Sequence, residues 1–317
     1  MAPATSLEKP AYYWGDEISP DDFYAQQGVR HAESHYTTPH GTLFTQSFLP
    51  LDAAAAPRAL IFLTHGYGSD SGWLFQSIAI TLAQWGFAAY CADLLGHGRS
   101  DGLHGYVWDV DAFADANLRY FHSVRDKPEF SGLKKFLFGE SMGGGLTLLM
   151  CLKDPKGWDG VIVTAPLIVI PELMQPSKLH LFGYGLLLGL AESWAVMPEN
   201  NIVRKAIKDP ARGKLIASNP RRYKGKPRVG TMRNLARMCE YLQKNVEKIE
   251  MPLLALHGTS DVVAETEGSR ILYDKAKSQD KTIKIYEDYY HSLLQGEPEE
   301  ARAVVYGDIK QWLDDHC

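Results

Sequence analysis

The stretch LKKFLFGESMGGGLTLLMCL, residues 133–152, decides the fold. It opens as a strand-length run that ends apolar, closes as a helix-length apolar run, and joins them through Gly139-Glu140-Ser141-Met142-Gly143. The joint fits G-x-S-x-G, a pattern that places a serine on a sharp strand-to-helix turn with its hydroxyl projected from the carboxyl end of the strand. Glycines flank such a turn because neighbouring backbone passes where a Cβ would clash. A surface Gly-Ser turn has no need of a strand before it and a helix after it, so Ser141 is the predicted nucleophile. Gly143, Gly144 and Gly145 predict close packing of the following helix.

Outside this stretch, short apolar runs recur at 59–66 (ALIFLTHG), 86–94 (GFAAYCADL), 160–166 (GVIVTAP), 252–258 (PLLALHG) and 282–288 (TIKIYED). They are mostly apolar on both faces, and helix-length segments separate them. That rhythm predicts an α/β fold with a mainly parallel central sheet flanked by helices. The segment 34–50 alternates around Pro39-His40-Gly41 and predicts an antiparallel hairpin. Residues 1–33 are polar and read as an arm with some helix around 20–27. Between about 167 and 250 the rhythm breaks into helical segments punctuated by Pro171, Pro176, Pro198, Pro210, Pro220 and Pro227. An insertion there predicts a mostly helical cap over the carboxyl edge of the sheet, where open α/β sheets bind ligands. The expected organisation is a core formed by 1–167 and 246–317, with a cap at 168–245.

A serine hydroxyl is a weak nucleophile and needs a base. With a G-x-S-x-G serine the chain order is nucleophile, acid, histidine. Of eleven histidines, only His291 lies in the loop directly after the last predicted strand. The acid belongs after the strand before it, and Asp261 stands there in LLALHGTSD; Asp288, three residues before His291, is the competitor. The oxyanion calls for two backbone donors. They are expected from Met142, next to the nucleophile, and from Tyr67 in the loop after the run 59–66. His65 and Asp70 form an H-x4-D pattern, read here as a structural histidine that shapes that loop.

Composition sets outer limits. An apolar share of 45% and a net charge of −5 suit a globular protein and argue against nucleic acid as a main partner. The four cysteines are far apart and without a C-x-x-C pair, so reduced thiols are expected, with no metal site and no cofactor. The N-terminus has no basic start followed by an apolar run, and no apolar run reaches bilayer length; 181–191 comes nearest. A cytoplasmic protein is expected. Charge is uneven: residues 199–237 hold twelve Lys or Arg against two acids. Such a stretch is either a basic face docked on the acidic remainder or an attractor for an anionic substrate or membrane. The apolar segment 180–197 reads as cap packing, as a pocket wall or as a membrane-docking lid.

The blocks HGYGSDSGW (65–73), DLLGHGRSDG (93–102), GESMGGG (139–145), LHGTSDVV (256–263) and KTIKIYEDYYHSLLQGEP (281–298) resemble the monoacylglycerol lipase family of α/β hydrolases. The cap stretches PSKLHLFGYGLL, KAIKDP and ASNPRRYKGKPRVGTMR, with the early GTLFTQSFLPLD, are similar to its plant branch. That branch holds caffeoylshikimate esterases of lignin biosynthesis alongside monoacylglycerol and lysophospholipid lipases. The resemblance runs from about Trp14 to the C-terminus. It implies a serine esterase acting on a small-molecule ester, with Ser141, Asp261 and His291 as triad and Tyr67 and Met142 as oxyanion donors. Caffeoyl shikimate is the expected substrate and a monoacylglycerol or lysophospholipid the alternative. A hydrolase-fold receptor is the reading of another class, and the intact triad argues against it.

Overall fold

The computed structural model describes residues 12–54, 56–171, 192–195 and 205–317. Every predicted run is a strand: β3 (Ala59–Thr64), β4 (Ala88–Ala92), β5 (Lys134–Glu140), β6 (Gly160–Thr164), β7 (Leu253–Gly258) and β8 (Lys281–Tyr286). With the hairpin β1 (Val29–Thr38) and β2 (Gly41–Pro50) they form one sheet in the order β1-β2-β4-β3-β5-β6-β7-β8. From β4 to β8 neighbours are parallel; β1 and β2 pair antiparallel with each other, and β2 pairs antiparallel with β4. The hairpin starts at Val29, five residues before the predicted segment. Of the five extra residues only Val29 is buried, so the apolar alternation that betrays a strand is missing from this polar edge.

The parallel strands β3, β4, β6 and β7 are buried on both faces because helices cover both. Leu60, Phe62, Leu137, Val161 and Val163 face one core. It is closed by α3 (Val110–Arg125) and α4 (Met142–Lys153), together with Leu235, Met238 and Leu242 of α6 (Val229–Asn245) and Leu272 of α7 (Thr266–Lys275). Ile61, Leu63, Phe136, Phe138 and Ile162 face the other, closed by α1 (Pro20–Gln26), α2 (Gln76–Gln84) and α8 (Glu299–His316). Strand period two thus splits one apolar run between two cores.

Chain order places the site. From β3 the chain passes to β4 on one side, then crosses back to β5 on the other, so the loops after β3 and β5 diverge at a switch in strand order. Thr64 pairs with Gly139, which brings the loop carrying Tyr67 out beside the turn carrying Ser141.

Much of 168–245, including most of the apolar segment 180–197 and the near-miss 181–191, lies outside the described residues. The described part includes α5 (Pro210–Ser218) and the loop after it. Trp73 donates its indole N–H to the Leu215 carbonyl at 2.7 Å, Asn219 donates to Asp70 at 2.6 Å, and the Tyr223 N–H reaches the Gly68 carbonyl at 2.9 Å. The loop after β3 is therefore held from above by α5 and its successor. Cys91, Cys151 and Cys239 are buried free thiols. Among the described residues no helix is long and apolar enough to cross a membrane.

Phe62 is fully buried against Phe121, Trp158 and Tyr90, with ring centroids 5.0, 5.5 and 5.8 Å away. Phe62→Ala is expected to cost about 3–5 kcal/mol, lost transfer energy plus a cavity, read as a lower urea midpoint at unchanged slope.

Candidate active site

Ser141 sits at φ 59° and ψ −124°, a left-handed conformation that costs a non-glycine residue about 1–3 kcal/mol. Hydrogen bonds hold it there. Its N–H donates to the Thr164 carbonyl at 3.0 Å, and its carbonyl accepts from Leu167 at 2.9 Å and Gly145 at 3.1 Å. The flanking glycines are needed for space: a Cβ on Gly143 would fall on the Thr64 and His65 carbonyls, and one on Gly139 on the Thr147 side chain and the Gly143 carbonyl.

The loop after β8 delivers His291, and the loop after β7 delivers Asp261. His291 Nε2 lies 2.8 Å from Ser141 Oγ and its Nδ1 lies 2.6 Å from Asp261 Oδ2. An ionised carboxylate only accepts, so Nδ1 carries the proton and Nε2 is left to accept the serine hydroxyl. Asp288, the competitor, is exposed, has φ 61°, and spends its carbonyl on Lys208 at 2.8 Å. His291 and Asp261 are both buried.

Asp261 accepts four hydrogen bonds. Oδ1 takes the N–H groups of Val263 (2.7 Å) and Ala264 (3.1 Å); Oδ2 takes His291 and, at 3.0 Å, Nε2 of His257. His257 Nε2 also faces the Ala264 carbonyl at 3.1 Å and so carries its proton, while Nδ1 accepts from Ser269 Oγ at 2.7 Å. Burial alone would raise the Asp261 carboxyl, but the two imidazoles outweigh it and hold the group below the ordinary carboxylate range. Burial likewise works against a charged His291, yet the Asp261 carboxylate prevails and raises its pKa above the usual 6.5.

Met142 is the first residue of α4, so its N–H has no acceptor within the helix and points out of the helix N-terminus beside Ser141. The Tyr67 N–H is set by its neighbour. His65 Nδ1 lies 2.8 Å from the Gly66 carbonyl, while its Nε2 accepts the Leu94 N–H at 3.0 Å. The bond at Nε2 leaves the proton on Nδ1, which holds the Gly66 carbonyl; in a trans peptide the Tyr67 N–H points the opposite way. Burial lowers the His65 pKa to about 4, so this neutral tautomer persists at physiological pH. The Tyr67 phenol donates to the Gly105 carbonyl at 2.9 Å and is occupied there.

Two side chains at this site were not singled out from sequence. His257 ends β7 four residues before Asp261, a spacing that carries no message until the loop geometry is known. Gln295 spans both oxygens of buried Glu140 at 2.8 and 3.0 Å, joining the His291 loop to the residue before Ser141. Among the described residues no cluster of His, Cys, Asp and Glu is arranged to hold a metal ion.

Residues 55–299 match the Hydrolase_4 family, described as serine aminopeptidase, S33. A caffeoylshikimate esterase of Arabidopsis thaliana is 51% identical over 315 residues, covering 99% of this chain and 94% of that protein. A human monoglyceride lipase is 30% identical over 264 residues, 81% of this chain and 82% of that protein. A soluble variant of the Saccharomyces cerevisiae monoglyceride lipase, solved with a substrate analogue, superposes with a TM-score of 0.79 at 20% identity, over 89% of this chain and 94% of that one. The chain belongs to the Hydrolase_4 family of α/β-fold serine hydrolases.

With His291 as the proposed base, which must be neutral to accept the serine proton, activity on an uncharged ester is expected to fall with decreasing pH through a midpoint above 6.5. Asp261→Asn is expected to lower kcat by about 10⁴-fold by spoiling the imidazole tautomer. It also removes the charge that raises His291, so the residual activity titrates at lower pH. A pH profile of kcat/KM on both proteins reads both effects.

Proposed function

We propose that this serine ester hydrolase cleaves caffeoyl shikimate to caffeate and shikimate through an acyl-enzyme on Ser141, a step of phenylpropanoid metabolism. The observation that carries the chemistry is the unbroken line of hydrogen bonds from Ser141 Oγ through both nitrogens of His291 to Asp261. Near full-length similarity to the Arabidopsis caffeoylshikimate esterase is what favours this ester.

Ser141 Oγ attacks the ester carbonyl as His291 Nε2 takes its proton; Asp261 stabilises the imidazolium and keeps its orientation. The tetrahedral oxyanion collects the N–H groups of Tyr67 and Met142, each worth about 3–4 kcal/mol of barrier in comparable sites. Collapse breaks the bond to the shikimate oxygen, which leaves with the proton from His291. Water then attacks the caffeoyl ester by the same route and releases caffeate. Protein groups and water carry every step.

We assign 168–245 to a cap over this site. The support is that Leu215, Asn219 and Tyr223 all bond to the loop from which Tyr67 projects, or to its immediate continuation at Trp73. The buried free thiols of Cys91, Cys151 and Cys239 favour the cytoplasm. Monoacylglycerol hydrolysis is the second reading, favoured by the human relative, and under it the basic stretch serves contact with an anionic membrane surface.

The test is kcat/KM on caffeoyl shikimate and on a medium-chain monoacylglycerol, side by side, with Ser141→Ala as blank. Preference for caffeoyl shikimate by about a hundredfold, roughly 3 kcal/mol of transition-state binding, is expected. Preference for the glyceride would overturn the substrate, and activity surviving in Ser141→Ala would overturn the nucleophile.

A further inference from the structure

The structure ties down several cations of the basic stretch 199–237. Lys208 donates to the Asp288 carbonyl at 2.8 Å, Arg212 to the Gln295 carbonyl and Arg228 to the His104 carbonyl at 3.0 Å, while Arg233 pairs with Glu192. Lys205, Lys214, Lys226 and Arg237 are exposed to water. Arg222, like Arg221 before it, fits neither group. It is half-buried, yet among the described residues nothing accepts a hydrogen bond from its guanidinium and no carboxylate lies close enough to pair with it.

Its position is nonetheless fixed on both sides. Asn219 gives its amide to Asp70 Oδ2 at 2.6 Å, takes the Arg221 N–H on its own Oδ1 at 2.9 Å, and takes the Arg222 N–H on its carbonyl at 3.4 Å. Tyr223, the next residue, donates its N–H to Gly68. Asp70 and Gly68 belong to the loop that carries Tyr67, so Arg222 is fastened to that loop before and after. Its backbone thus runs beside the loop that carries Tyr67, with the guanidinium in range of the charges of Asp70 and of Glu140, the residue before Ser141.

Neither acid needs it. Gln295 spans both oxygens of Glu140, and Asp70 takes the Gly72 N–H at 2.9 Å besides Asn219. Burial raises the pKa of both carboxyls, which further weakens their hold on a cation. A guanidinium drawn partly out of water without an acceptor among the described residues costs desolvation that those residues do not return. An anionic group on the substrate would return it, and the planar fork of arginine suits a carboxylate.

Resting on the caffeoyl shikimate reading, we propose that Arg222 binds the carboxylate of the shikimate half of the ester. The contact orients the leaving alcohol during acylation: the serine oxygen bonds to the caffeoyl carbonyl, the ester C–O bond breaks, and the shikimate oxygen departs with the proton from His291. Once shikimate has left, water attack on the caffeoyl ester proceeds without Arg222. The residue selects the alcohol, and the acyl group is selected elsewhere.

The test compares caffeoyl shikimate with its carboxyl methyl ester, using wild type, Arg222→Met and Arg222→Lys, with turnover of methyl caffeate as the measure of correct folding in each. Wild type is expected to favour the free acid by about a hundredfold in kcat/KM, the scale of a half-buried charge contact. Arg222→Met should bring that ratio close to one, with Arg222→Lys in between. Free shikimate should inhibit methyl caffeate hydrolysis by wild type and lose at least about tenfold in Ki with Arg222→Met. If wild type hydrolyses caffeoyl shikimate but Arg222→Met keeps the full ratio, the role of Arg222 is overturned while the substrate reading stands. If wild type hydrolyses methyl caffeate but not caffeoyl shikimate, the substrate reading falls and shikimate inhibition decides: lost in Arg222→Met, it supports the carboxylate site; unchanged or absent in both, it overturns it.

Discussion

The proposed reaction centre depends on one strained residue. Ser141 occupies a backbone region that an L-amino acid enters only when its surroundings compel it, and here three backbone hydrogen bonds and two glycines without room for a side chain do so. The strain has a geometric return. It turns the chain sharply enough for the serine oxygen to stand clear of the sheet while the next N–H, that of Met142, opens a helix N-terminus beside it. The sheet, with neighbouring strands apolar on both faces and gripped by two cores, supplies the rigidity. A looser scaffold would let the turn relax and carry the oxygen away from His291.

Around that turn the polar groups form a closed set of partners. Asp261 is satisfied by two amides and two imidazoles, and His257 is itself held by Ser269. His65 holds the Gly66 carbonyl through Nδ1 and is itself anchored by the Leu94 N–H at Nε2. The arrangement is preorganised: the groups proposed to face charge in the transition state are already oriented, so little reorganisation is left for the reaction itself.

Most of the fold was legible in the sequence because buried parallel strands advertise themselves as uninterrupted apolar runs, and the switch from those runs to helix-length spacing is abrupt. The residues proposed for the triad were legible for a related reason: each follows a recognisable strand end, and chain order assigns the roles. What escaped was whatever depends on contacts between distant segments. The first half of β1 is an edge with one buried residue, so it carries no period. His257 looked like the end of a strand, because its service to Asp261 needs the intervening loop to fold back. Arg222 could not be told from eleven other cations, since its place beside the loop after β3 depends on the bonds that Asn219 and Tyr223 make to Asp70 and Gly68. The segment 180–197 lies mostly beyond the described residues.

The hydrogen bonds from Asn219 to Asp70 and from Tyr223 to Gly68 join two parts of the molecule that are easily imagined as separate, one proposed to choose the substrate and the other to perform the reaction. With those joints in place, the protein is poorly modular. A substitution in 219–223 that reshapes recognition also pulls on the peptide that presents the Tyr67 N–H. Changes of diet and changes of turnover are then inherited together, and grafting this loop from one relative onto another would transplant a rate along with a preference.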